Sequence, residues 1–95
     1  MFNGKISDIK EIDEKTRSIS ENIRSTFISL FDLNVTEYDP LCYKLQPGNG
    51  SYYFIKVSVG NDIYVHLKIF YSIKKETSLV SFQYPKKRED QIIYF

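Results

Sequence analysis

The sequence predicts an α+β fold, one N-terminal α-helix packed against a four- to five-stranded antiparallel β-sheet, on three observations. Apolar residues in the first third recur at three- and four-residue steps. After Pro40 the period changes to two, and Gly, Asn and Pro residues punctuate the alternating segments at short intervals. A helix with one apolar stripe and a sheet with one apolar face bury both by packing as two layers.

Ile9, Ile12, Ile19, Ile23, Phe27, Leu30 and Phe31 form the helical stripe between Ser7 and Asp32, with Lys, Arg, Glu and Ser between them. Ser7 or Asp8 can cap its first turn, and Asp8, Glu11, Asp13 and Glu14 suit its positive end. Asp32, Asn34 and Asp39-Pro40 close it, since proline cannot donate and pushes its predecessor toward extended geometry. Leu41, Tyr43 and Leu45 then alternate in a first strand. Gln46-Pro47-Gly48-Asn49-Gly50 reads as an exposed hairpin tip, with Pro-Gly and Asn-Gly both strong turn formers. A second strand turns Tyr53, Ile55, Val57 and Val59 to one face, and a third, after Gly60-Asn61-Asp62, does so with Ile63, Val65, Leu67 and Ile69. Beyond the polar stretch from Tyr71 to Ser78, a fourth strand from Leu79 to Tyr84 presents Val80, Phe82 and Tyr84. Ile92 to Phe95 is the expected last short strand.

Ninety-five residues, of which 42% are apolar and 16% aromatic, suffice for one self-folding domain spanning 1–95. Thirteen basic against twelve acidic residues leave a net charge of +1, which provides no field for a nucleic acid or an anionic membrane. The single cysteine, Cys42, excludes an internal disulfide and a cysteine zinc site and suits a reducing compartment. No apolar stretch approaches the ~20 residues that span a bilayer, and the first residues carry no secretory h-region. The expected location is therefore cytoplasmic, which leaves the sequons at Asn34 and Asn49 unmodified.

Tyr53-Phe54-Ile55-Lys56-Val57, Gly60 and Tyr64-Val65-His66-Leu67-Lys68-Ile69-Phe70 resemble, with matched spacing, the stefins, the single-domain, disulfide-free branch of the cystatins. The resemblance extends more weakly from Gly4 to Phe95, with a shortened loop after Ile73. It implies a cystatin-like fold and reversible competitive inhibition of papain-like, cathepsin-like cysteine proteases, without a cofactor. It also implies a protease-binding wedge made of Gly4 in the N-terminal segment, Gln46, Pro47, Gly48, Asn49 and Gly50 in the first hairpin loop, and Ile73 and Lys74 in a second. The implied state is a monomer, with a domain-swapped dimer as the alternative.

Gln46 and Gly50 keep the family's Gln-Val-Val-Ala-Gly pattern, whereas Pro47-Gly48-Asn49 replaces its centre. Two buried valines contribute ~1.5 to 3 kcal/mol each. Losing ~2 to 3 kcal/mol of that weakens binding roughly 30- to 150-fold. Ile73 is followed by Lys74 where the family usually has proline. A cystatin-fold module that binds a protein without inhibiting a protease is the alternative function.

Other functional readings are poorer. A catalytic Cys42–His66 pair is disfavoured because His66 alternates with Val65 and Leu67 and so faces away from the core. Tyr52, Phe54, Tyr64, Phe70 and Tyr71 could stack bases, but only Lys56 and Lys68 lie among them. Lys86-Lys87-Arg88 is offset at once by Glu89-Asp90. No carboxylate pair, metal-spaced cluster or phosphate loop points to an enzyme.

Overall fold

The computed structural model describes residues 4–31 and 35–95, apart from the side chain of Phe31. Asp32 and Asn34, expected to stop the helix, lie outside that set, as do Met1 to Asn3. The elements are β1 (Lys10–Glu11), α1 (Glu14–Phe31), β2 (Asp39–Pro47), β3 (Ser51–Gly60), β4 (Ile63–Tyr71) and β5 (Thr77–Lys86). All five strands form one antiparallel sheet in the order β1-β2-β3-β4-β5. The α+β architecture expected from the hydrophobic periods is the one observed.

The helix begins at Glu14, seven residues later than its apolar spacing suggested, because Asp13 is the stronger cap. Its Oδ1 accepts the Thr16 amide at 2.7 Å, and its carbonyl accepts the Arg17 amide at 2.9 Å. Its Oδ2 accepts the Tyr43 hydroxyl at 3.0 Å, which ties the helix start to β2. Hydrogen bonds from Thr16, with a smaller contribution from Tyr43, hold the Asp13 carboxyl below the usual range. Ile19, Ile23 and Phe27 then point into the core against Ile55, Val57, Val65, Leu67 and Ile69. Ile9 and Leu30, counted in the stripe, are exposed.

Residues N-terminal to the helix run along the free edge of β2, where the sheet offers their amides partners. Lys10 and Glu11 pair with Tyr43 and Cys42, and the Ser7 amide donates to the Leu45 carbonyl at 2.8 Å. The three-residue spacing of Ile6, Ile9 and Ile12 is thus compatible with an irregular edge segment as well as with a helix.

Strand β5 departs from the expected alternation. The register slips between Lys68 and Ile69, so Leu79 opposes Ile69 while Ser81 opposes Lys68. Val80 is left at the bulge, 49% exposed, and Leu79 joins Phe82 and Tyr84 against the core.

The C-terminal residues form no strand. They cross the outer sheet face, the one turned away from α1, and cover a mixed set of side chains. Lys56 donates to the carbonyls of Arg88 and Asp90 at 2.6 Å each, and Lys68 donates to the Phe95 main-chain oxygen at 2.6 Å. Phe54 packs against Tyr94 and Phe95, and Ile92 is buried. Among the described residues no helix is long and apolar enough to cross a membrane.

Candidate protease-binding edge

Strand register brings the two hairpin loops to one end of the sheet. Pro47 opposes Ser51, Ser51 opposes Tyr71, and Tyr71 opposes Thr77, so the 48–50 and 72–76 loops project side by side. Between Pro47 and Ser51 the chain reverses over three residues. The Gly48 amide donates to the Gly50 carbonyl at 3.1 Å, Asn49 is left-handed at φ 42°, and Gly50 stands at φ 119°. A Cβ on Gly50 would lie 2.7 Å from the Tyr71 carbonyl oxygen and 2.9 Å from the Phe70 ring, so the first loop needs glycine where it passes the second hairpin.

Gly4 meets the same loop. Its amide donates to the Pro47 carbonyl at 2.8 Å, and a Cβ there would lie 2.5 Å from Pro47 Cγ. Only a residue without a side chain passes that close, a requirement its position near the N-terminus did not disclose. The Gln46 side chain, 9% exposed, donates from Nε2 to the Gly4 carbonyl at 3.1 Å.

The second loop is a short, closed turn. The Ser72 amide donates to the Glu76 carbonyl and the Lys75 amide to the Ser72 carbonyl, both at 2.9 Å. Ser72 Oγ accepts the Lys74 and Glu76 amides at 3.2 and 3.1 Å. This leaves Ile73 at the tip, 79% exposed, beside exposed Lys74. Sequence reasoning misses Ser7, which holds the N-terminal segment, and Ser72, which closes the second loop. Ser7 carried only a helix-capping signal, and serines in polar segments are too common to stand out.

No family model matches the chain. Curated relatives do. Cystatin-A2 of Dictyostelium discoideum is 32% identical over 92 residues, covering 97% of this chain and 96% of its own. Cystatin-A3 of the same organism is 34% identical, over 95% of this chain and 90% of its own. Human Cystatin-B is 30% identical over the whole of both chains. The chain belongs to the stefin, or type 1 cystatin, family. Its members are cysteine protease inhibitors, not enzymes.

The stefin assignment agrees with the chemistry away from the edge. Cys42 and His66 lie on the outer sheet face with Lys56 between them in register, opposite Cys42 on one side and His66 on the other. Burial pushes the Cys42 thiol up and holds the His66 imidazole down at about 4, with Lys56 and Lys86 adding to the latter. Both shifts oppose a thiolate–imidazolium pair. Nor are the five aromatics a stacking platform. Phe54 is buried beneath Tyr94 and Phe95, and Tyr71 turns to the helix side, edge-on to Tyr53 with Lys15 over its ring.

Proposed function

We propose that residues 1–95 form one cystatin-like domain that inhibits papain-like, cathepsin-like cysteine proteases reversibly and competitively. Gly4, Gln46 to Gly50, Ile73 and Lys74 enter the active-site cleft on either side of the catalytic thiolate. The observation that carries this reading is the convergence of three separate segments on one end of the sheet in a stefin-family chain. The edge presents exposed Pro47 and Ile73 on loops already closed by their own hydrogen bonds. Apolar surface offered by a preformed loop binds at a smaller entropic cost than the same surface on a flexible chain. Burying Ile73 alone contributes ~1.5 to 3 kcal/mol. The wedge offers steric occlusion and presents no peptide bond to the thiolate, so inhibition needs no cofactor and leaves the inhibitor uncleaved. A cytoplasmic monomer fits this role.

The altered loop centre, Pro47-Gly48-Asn49, favours one second reading: a stefin-fold module that binds a protein partner without inhibiting a protease. Titration into a papain-like endopeptidase, at several concentrations of a fluorogenic peptide, separates the two. Competitive inhibition at nanomolar concentrations is expected. No inhibition at tens of micromolar, against both an endopeptidase and an exopeptidase of the class, would leave the second reading standing.

A further inference from the structure

We propose that Gln46 and Ser7 are positioning residues that clamp the N-terminal segment, Gly4 to Ser7, against the first hairpin in the free chain, so that trunk and loop reach a protease as one preformed edge. The functional half of this inference rests on the inhibitor reading; the clamp itself does not.

Four hydrogen bonds describe the clamp. Two are backbone pairs, Gly4 amide to Pro47 carbonyl and Ser7 amide to Leu45 carbonyl, both 2.8 Å. The other two use side chains. Gln46 Nε2 donates to the Gly4 carbonyl at 3.1 Å, and the Leu45 amide donates to Ser7 Oγ at 2.9 Å. The Ser7 hydroxyl proton goes to the Asp8 carbonyl at 2.8 Å, which aims its lone pairs at Leu45.

The position of Gln46 makes its role more than incidental. It is a buried polar side chain in a strand that ends one residue later, and a buried amide donor without an acceptor is costly. The Gly4 carbonyl supplies that acceptor while the trunk is docked, and water must take its place when the trunk leaves. Gly4 completes the arrangement, because a Cβ there would lie 2.5 Å from Pro47 Cγ, so that the proline ring or the segment itself would have to shift. A terminal segment otherwise frays, and ordering it only on binding would lower affinity.

Amide hydrogen exchange by NMR on the free chain tests the clamp without reference to any protease. The Gly4 and Ser7 amides are expected to be protected in the parent. Gln46→Leu, close in size, should return Gly4 to the exchange rate of an open chain, and Ser7→Ala should deprotect Leu45. The β3 and β4 amides serve as the folding control. The inhibition constant is then expected to rise about five- to tenfold for Gln46→Leu, the equivalent of one net hydrogen bond. In a Gly4→Ala background, where the added Cβ already disturbs the contact with Pro47, the same substitution should add little. A Gly4 amide that exchanges freely in the parent, or equally slowly in Gln46→Leu, overturns the clamp. Additive effects of Gly4→Ala and Gln46→Leu on inhibition overturn positioning through the trunk. Full protection, lost in Gln46→Leu, in a chain that inhibits no papain-like enzyme supports the clamp while sinking the inhibitor reading.

Discussion

The two faces of the sheet are buried by different means. Toward the helix, Ile55, Val57, Val65, Leu67 and Ile69 meet Ile19, Ile23 and Phe27 in an apolar layer. On the outer face, Lys56, His66 and Lys68 lie beneath the C-terminal residues, where two ammonium groups hold main-chain oxygens. Lys68 also sits over the rings of Tyr52, Phe54 and Tyr94, at 5.1, 5.4 and 4.7 Å. The first face is stabilised by area removed from water, which tolerates changes in pH. The second depends on charge and on keeping an imidazole neutral, so it should respond to acid while the helix face does not.

The largest expected effect is on the helix face. Phe27 is fully buried, and Phe27→Ala should cost about 3 to 5 kcal/mol in denaturant unfolding at neutral pH. A loss below about 1 kcal/mol would mean that the helix carries little of the stability.

Acid is the corresponding probe of the outer face. His66 is fully buried, neither ring nitrogen has a hydrogen-bond partner among the described residues, and burial holds its pKa at about 4 against an ordinary 6.5. Lys56 from β3 and Lys86 from β5 oppose its protonation, Asp90 from the C-terminal segment favours it, and Gln83 stands opposite it in register. Between these two pKa values the unfolded chain binds the proton and the folded chain does not. Stability is therefore full above pH 6.5 and falls as pH drops toward 4, by on the order of 3 kcal/mol. His66→Phe should flatten that window. Asp13 acts in a more acid window, because its lowered pKa keeps it charged through most of this range. Unfolding free energies of the two chains from pH 7 to 4 decide the matter, and parallel curves would exclude His66 as the source.

Lys56→Met is expected to cost about 1 to 3 kcal/mol, since the carbonyls of Arg88 and Asp90 lose their common donor. Faster proteolytic nicking between residues 87 and 95, with helix amides still protected, would localise the loss to the outer face.

The smallest change in stability belongs to the edge. Ile73→Ala, at an exposed tip, should move unfolding by no more than about 0.5 kcal/mol. The same substitution should raise the inhibition constant roughly 10- to 100-fold through lost apolar burial. Replacing Gly48 by Glu should likewise weaken inhibition and leave the melting temperature nearly unchanged.

The sequence by itself determined the parts whose physics is local. A 3.6-residue period from Ile19 to Phe27, two-residue periods through β3 and β4, and the turn at Gly48-Asn49-Gly50 set the helix, the long strands and the first hairpin, whatever the rest of the chain does. Three outcomes were decided only in the tertiary structure. Ile9 and Ile12 fit a helix until the free edge of β2 offered backbone partners to the segment before Asp13. Val80 fitted the inward face until the β4 register displaced it. Ile92 to Phe95 fitted a strand until the outer face offered the Lys68 ammonium to the Phe95 main-chain oxygen and the Phe54 ring to Tyr94 and Phe95. Gly4 belongs with these, because the steric demand that requires glycine comes from Pro47, forty-three positions away in the chain. Periodicity reports how a segment divides between water and apolar surroundings, whereas the choice among partners for a backbone or an ammonium group depends on which surfaces the finished sheet leaves open.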